Sequence, residues 1–141
     1  MRLSTVLASF TAIFLTSTVN AEGLDVEPGQ WEMTTTMTMS MMPQPQVTTD
    51  IECIEEDKLR PEDFDMDEDS PCSISDVNYE GNTGRWSIDC PVEGGGAMKG
   101  QWEVTSNGDK LSGKGEMTPE IAGQKMGFNM SWEGKRIGEC K

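Results

Sequence analysis

The sequence predicts an all-β fold: a curved antiparallel meander of about seven strands, forming an open barrel or half-barrel with an acidic insert and two disulfides. Three observations lead there. Apolar and polar residues alternate with a period of two in almost every segment, turn residues recur between segments, and no run of ten residues carries a helical period. A length of 141 residues fits a single domain.

The first 21 residues stand apart. Arg2 precedes a mostly apolar, uncharged stretch from Leu3 to Leu15, and Val19-Asn20-Ala21 sets small or modest residues at the positions a signal peptidase reads. Residues 1–21 are therefore expected to be a secretory signal peptide cleaved before Glu22, too short for a membrane span. No cysteine follows the cut to carry a lipid. The expected single β domain spans residues 22–141, in the periplasm or outside the cell. Removing the leader takes away one basic residue, so these 120 residues hold 25 acidic and 10 basic side chains, a net −15. Leu, Ile, Val and Phe number 16 of the 120, a share low enough to signal disorder. Ten Met and four Trp in patterned positions replace the missing aliphatics, and four cysteines in an exported chain read as two disulfides that supplement a thin core.

The strands follow in order. Trp31, Met33, Thr35, Met37, Met39 and Met41 share one face of the first, with Glu32, Thr34, Thr36, Thr38 and Ser40 on the other. Pro43-Gln44-Pro45 ends it, and Val47, Thr49, Ile51 and Cys53 form a second alternating run. An acidic insert, residues 52–72, follows, with a short helix expected over Glu55 to Leu59. Val77 and Tyr79 mark the next strand, then Trp86, Ile88 and Cys90; Met98, Trp102 and Val104; Leu111 and Met117; and Met126, Phe128, Met130 and Trp132.

Turn chemistry suggests registers. Asn107-Gly108 is a strong two-residue hairpin signal, which sets Val104 opposite Leu111, Trp102 opposite Gly113, Gly100 opposite Gly115, and Lys99 beside Glu116. Gly81-Asn82-Thr83-Gly84 as a four-residue loop pairs Tyr79 with Trp86 and Val77 with Ile88; a two-residue loop at Gly81-Asn82 gives poorer partners. In the preferred register Cys72 has the parity opposite to Cys90, so that bridge is disfavoured unless a bulge intervenes. Cys53–Cys72 with Cys90–Cys140 is favoured, and Cys53–Cys90 with Cys72–Cys140 stays open.

Pro28-Gly29-Gln30-Trp31-Glu32 opening a Thr/Met strand, Met-Pro-rich residues 41–45, Cys53 before the acidic segment, Gly81-Asn82 before Trp86, Cys90, and the ending Arg136-Ile137-Gly138-Glu139-Cys140 together resemble an uncharacterised family of exported bacterial proteins, domain of unknown function 3617. The resemblance covers residues 28–140. It implies a Gram-negative periplasmic or secreted β domain and brings no activity, ligand or catalytic residue.

Composition narrows function mostly by exclusion. The chain has no histidine, which removes Ser-His and Cys-His pairs, His-ligated zinc and the usual general base. A strongly acidic chain argues against nucleic acid. No Cys-x-x-Cys occurs, and Gly94-Gly95-Gly96 lacks the Lys-Ser/Thr of a phosphate loop. Asn129-Met130-Ser131 is a glycosylation sequon, relevant only in a eukaryotic source. Residues 52–69 hold ten acids against Lys58 and Arg60, so −8 of the net charge sits there. Asp65, Asp67 and Asp69 have the spacing that begins a calcium loop, but Ser70 and Pro71 occupy its next positions and Asp76 its twelfth. Charge runs are usually solvated surface, which is the default here. Met33, Met37, Met39, Met126 and Met130 would line a face that holds an apolar ligand or a protein partner, or supply soft thioethers to Cu(I). Packing is the default for methionine, as it is for the four tryptophans. The expectation is a monomeric, non-catalytic exported binding domain without a cofactor, its ligand apolar or its partner a protein, with metal binding as the alternative.

Overall fold

The computed structural model describes residues 22–64, 71–120 and 127–141. The expected signal peptide, Asp65, Asp67, Asp69 and Met126 lie outside the described residues. Among those described, nine strands form two antiparallel sheets. Seven strands build the main sheet: β2 (Gly29–Met39), β3 (Met42–Ile54), β5 (Ser73–Glu80), β6 (Thr83–Pro91), β7 (Ala97–Ser106), β8 (Lys110–Glu120) and β9 (Phe128–Gly138). The other two, β1 (Leu24–Asp25) and β4 (Lys58–Leu59), pair with each other. The main sheet is open, in the order β3-β2-β9-β8-β7-β6-β5. Strands β5 to β9 are the expected meander, but the β2–β3 hairpin joins through β2 to the last strand.

Period-two alternation becomes a sheet with one apolar face. Along β2, Trp31 and Met33 share that face, and β6, β7, β8 and β9 add Trp86 and Ile88, Trp102 and Val104, Leu111 and Met117, and Met130 and Trp132. Trp31 and Val104 are fully buried. The small β1–β4 sheet and the residue after β1 cover one end of this face with Leu24, Leu59 and Val26, all in the core. Ser106 Oγ donates to the Asp25 carbonyl, the Glu27 amide to Gly108 O at 3.0 Å, and the Trp31 indole to Glu27 O at 3.0 Å. Glu55 to Leu59 is not helical. Lys58 and Leu59 are extended against β1, followed only by a 3-10 turn at Pro61–Asp63. Phe64 after that turn packs on Trp86 and Trp132, with ring centroids 5.4 and 6.0 Å away.

Both hairpin registers differ from the expected ones. Across β7 and β8, Trp102 faces Gly115, Val104 faces Gly113 and Gly100 faces Met117, a shift of two residues that leaves the apolar face unchanged. The cause is tertiary: Val26 and Glu27, just after β1, bridge to Gly108, Asn82 Nδ2 bonds Asn107 Oδ1 at 2.8 Å, and the turn opens to four residues, Asn107 to Lys110. Lys99 consequently lies 3.3 Å from Glu120 rather than beside Glu116. Across β5 and β6 the two-residue turn Gly81-Asn82 is the real one, pairing Tyr79 with Gly84. The register then shifts between Ser75 and Asn78, where Asp76 takes φ 54°. This bulge sets Ile74 opposite Ile88.

The same bulge corrects the disulfides. Continuing past Ile74 brings Cys72 opposite Cys90, and they are bonded, with Cα atoms 4.0 Å apart. Cys53 is bonded to Cys140, tying the end of β3 to the chain beyond β9. The disfavoured bridge is therefore the one that forms, and both the favoured and the open alternatives are replaced. Strand β3 carries a further correction. Ile51 faces Glu32 and Val47 faces Thr36, so the apolar run of β3 lies on the polar face of the sheet, half-exposed. Asp50 and Glu52 share the Met/Trp face at this edge.

Candidate functional site

The apolar face is organised in rows that run across the strands. One row reads Met37, Met130, Gly115, Trp102 and Trp86, each directly opposite the next. The neighbouring row reads Met39, Phe128, Met117, Gly100 and Ile88. A large side chain lies directly over a glycine of the adjoining strand at several points: Trp102 over Gly115, Trp132 over Gly113, Met117 over Gly100 and Met33 over Gly134. A Cβ on Gly115 would stand 2.5 Å from the Trp102 ring. The absent side chains let the rings lie flat along the sheet. The expectation of a tryptophan over a strand glycine holds, with its partners reassigned.

The β1–β4 sheet and Phe64 cover the rows nearest the Gly108 turn. Toward the opposite end Met37, Met98, Trp102, Phe128 and Met130 are half-buried, and Met39 is exposed. Of the candidate ligand-binding residues, Met37 and Met130 therefore meet as direct partners, Met39 sits one row away, and Met33 packs over Gly134. The indoles differ in one respect. Trp31 donates to a carbonyl, whereas the buried N–H groups of Trp86, Trp102 and Trp132 have no acceptor among the described residues. Trp102 and Trp132 are in contact, ring centroids 5.3 Å apart.

The other face holds a feature that the sequence reading passed over. A trough of about 890 Å³ crosses β2, β9, β8, β7, β6 and β5, lined by polar side chains such as Thr36, Ser131, Lys114, Gln101, Arg85 and Asn78. Met130 is the one candidate ligand-binding residue among the described lining. At its centre Glu103 bridges Arg85 Nε at 2.6 Å and Lys114 Nζ at 3.1 Å, and Glu80 lies 3.0 Å from Arg85. The hydrogen bond from Arg85, then that from Lys114, holds the Glu103 carboxyl below the usual carboxylate range, and the same pairing raises Arg85. The signal was present in the sequence as the alternate residues of each strand, but those read simply as a solvated face.

The acidic segment offers less. Asp76, counted as a twelfth calcium-loop position, sits in the β5 bulge, where its Oδ2 accepts a bond from Ser75 Oγ at 3.3 Å. Among the described residues no group of three His, Cys, Asp or Glu side chains is placed to hold a metal ion. Nor is any helix among them long and apolar enough to cross a membrane.

Residues 26–140 match the family described as Protein of unknown function (DUF3617). The chain belongs to this family. The match takes in the whole main sheet of the DUF3617 domain and all four cysteines. No curated protein and no solved structure matches the chain.

Proposed function

We propose that this DUF3617 domain is an exported, non-catalytic binding module that takes up a small, neutral, apolar molecule carrying a hydrogen-bond acceptor. The observation that carries this reading is the set of three buried indole donors on the Met/Trp face that find no acceptor among the described residues. A buried N–H left unpaired costs about 1–3 kcal/mol, so each is a standing demand for an oxygen atom. An ester, ketone or ether oxygen meets it, while the half-buried Met37, Met130 and Trp102 adapt to the ligand's hydrocarbon. The acidity of the chain disfavours an anionic ligand. Both disulfides suit an oxidising compartment, which supports export. The absence of histidine supports a non-catalytic role, as does Glu103, whose carboxyl is held ionised in an ion-pair network rather than poised as an acid.

Native mass spectrometry of protein purified without detergent is expected to show a bound neutral mass. N-phenyl-1-naphthylamine should brighten saturably on the protein, be displaced by monoolein, and lose its signal in Met37→Gln/Met130→Gln. A probe that stays dark, as it would on a domain that binds only a protein partner, overturns the ligand reading. So does unchanged binding in the double variant.

A further inference from the structure

The turn from β2 to β3 gathers four methionines within six residues: Met37, Met39, Met41 and Met42. Met39 and Met42 are direct register partners on either side of Ser40-Met41. Residues so paired have Cβ atoms about 4.5–5.5 Å apart. Met37 stands two residues back on the same face as Met39, about 7 Å along the strand. Met39 and Met42 are more than a third exposed and Met41 is 74% exposed. Core filling accounts for Met117 and Met33, which lie over glycines, but not for a cluster of thioethers in solvent.

Thioether sulfur is a soft donor that selects Cu(I). A single strand of alternating methionines is a poor chelator because successive sulfurs on one face are too far apart. The hairpin removes that obstacle by folding ligands from two strands onto one point. The turn is also held in place: the Ser40 amide and hydroxyl both donate to Gly127 O, at 3.2 and 2.9 Å. No lysine or arginine occurs between Glu22 and Asp57 to repel a cation, and the whole chain lacks the histidine that would favour Cu(II) or zinc.

We propose that Met37, Met39 and Met42, with Met41 beside them, form a Cu(I) site at the tip of this hairpin. The site shares Met37 with the apolar-ligand row, but Met39 and Met42 stand outside the Met37–Met130–Trp102 row, so substitutions at 39 and 42 test it separately. Anaerobic titration of the full domain with Cu(I) against bathocuproine disulfonate tests it, with ascorbate as reductant and a thiol assay confirming that both disulfides stay closed. One Cu(I) per chain is expected, with affinity falling at least tenfold in Met39→Leu/Met42→Leu and unchanged in Met98→Leu. The double variant should melt as the parent does and still bind N-phenyl-1-naphthylamine. X-ray absorption should show a sulfur-only shell. Failure to compete with the chelator, equal affinity in the double variant, or a shell of nitrogen and oxygen overturns the site.

Discussion

Gly113→Ala tests the glycine-under-tryptophan packing directly. A Cβ at position 113 would lie 2.2 Å from both Cε2 and Cζ2 of Trp132, and 2.8 Å from Cη2. Carbon atoms in favourable contact stand about 3.5–4.0 Å apart, so the ring has to retreat by more than 1 Å. It has nowhere to go: Trp132 is 6% exposed and wedged between Trp102 and Phe64. Overpacking of this kind costs about 1–3 kcal/mol. Replacing a strand glycine with alanine returns about 0.5–1 kcal/mol of backbone entropy. The net expectation is a loss of about 1–2 kcal/mol in urea unfolding. A double-mutant cycle isolates the contact, because Trp132→Phe removes the part of the indole that collides. Coupling between Gly113→Ala and Trp132→Phe should reach about 1 kcal/mol, well above the scatter of about 0.3–0.5 kcal/mol for independent sites. Coupling to Trp102→Phe should be smaller. Additive behaviour at 113 and 132, or stronger coupling to Trp102, would refute the observed register and restore the one that Asn107-Gly108 suggests.

Three further outcomes follow from the same structure. Peptide mapping without reduction should recover Cys53 linked to Cys140 and Cys72 to Cys90; with sequence separations of 87 and 18, chain entropy assigns about 4.6 and 3.2 kcal/mol to the two bridges, and a loss below 1 kcal/mol in either Cys-to-Ser pair would contradict this. Because Glu103 titrates lower in the folded chain than its ordinary value, its stabilising effect is present above that value and disappears as pH falls through the lowered one. Glu103→Gln should therefore differ from the parent near neutral pH, converge with it in acid, and differ less at high salt; a gap in urea midpoints that persists in acid would reject the ion-pair explanation. Tyr79 is the chain's single tyrosine, and burial first, then the nearby Glu62 charge, pushes its phenol above 10. Absorbance at alkaline pH should give one midpoint above that of free tyrosine, with stability declining once pH exceeds 10; a normal midpoint would place Tyr79 in solvent.

Alternation made much of the main sheet legible, because period two is written into each strand irrespective of its neighbours. Alternation alone places Trp31, Trp86, Val104, Leu111 and Trp132 on the apolar face, and all are buried. Register was less legible, because alternative turns differ by contacts from distant segments, as the bridge from Val26 and Glu27 to Gly108 illustrates. The β5 bulge has no glycine to announce it: Asp76 adopts a left-handed conformation that Asp tolerates better than most residues. Missing it inverted the parity of Cys72 and with it the disulfide pairing. The alternation of Val47 and Ile51 was visible, but not the face it would join, since an edge strand's parity is fixed only by its single neighbour. Leu24 and Leu59 escaped notice because two-residue strands have no period. At the site, Met37 and Met130 were both singled out, but their direct pairing depends on β2 lying beside β9, a long-range choice that no local pattern encodes.

The placement of β2 against β9 also sets one long-range pairing apart from the local ones. Strands β5 to β8 follow one another in space as in sequence, so each can pair with a neighbour that has just preceded it. The β2–β3 hairpin instead docks on β9, far away in sequence. One edge of its row of methionines and threonines stays unpaired until that long-range contact forms. Cys140, just beyond β9, is bonded to Cys53 at the end of β3 and locks that long-range arrangement covalently. A chain lacking β9 would leave that hairpin unpaired and Cys53 without its partner, so the sheet is joined across the two halves of the domain by one strand pairing and one disulfide.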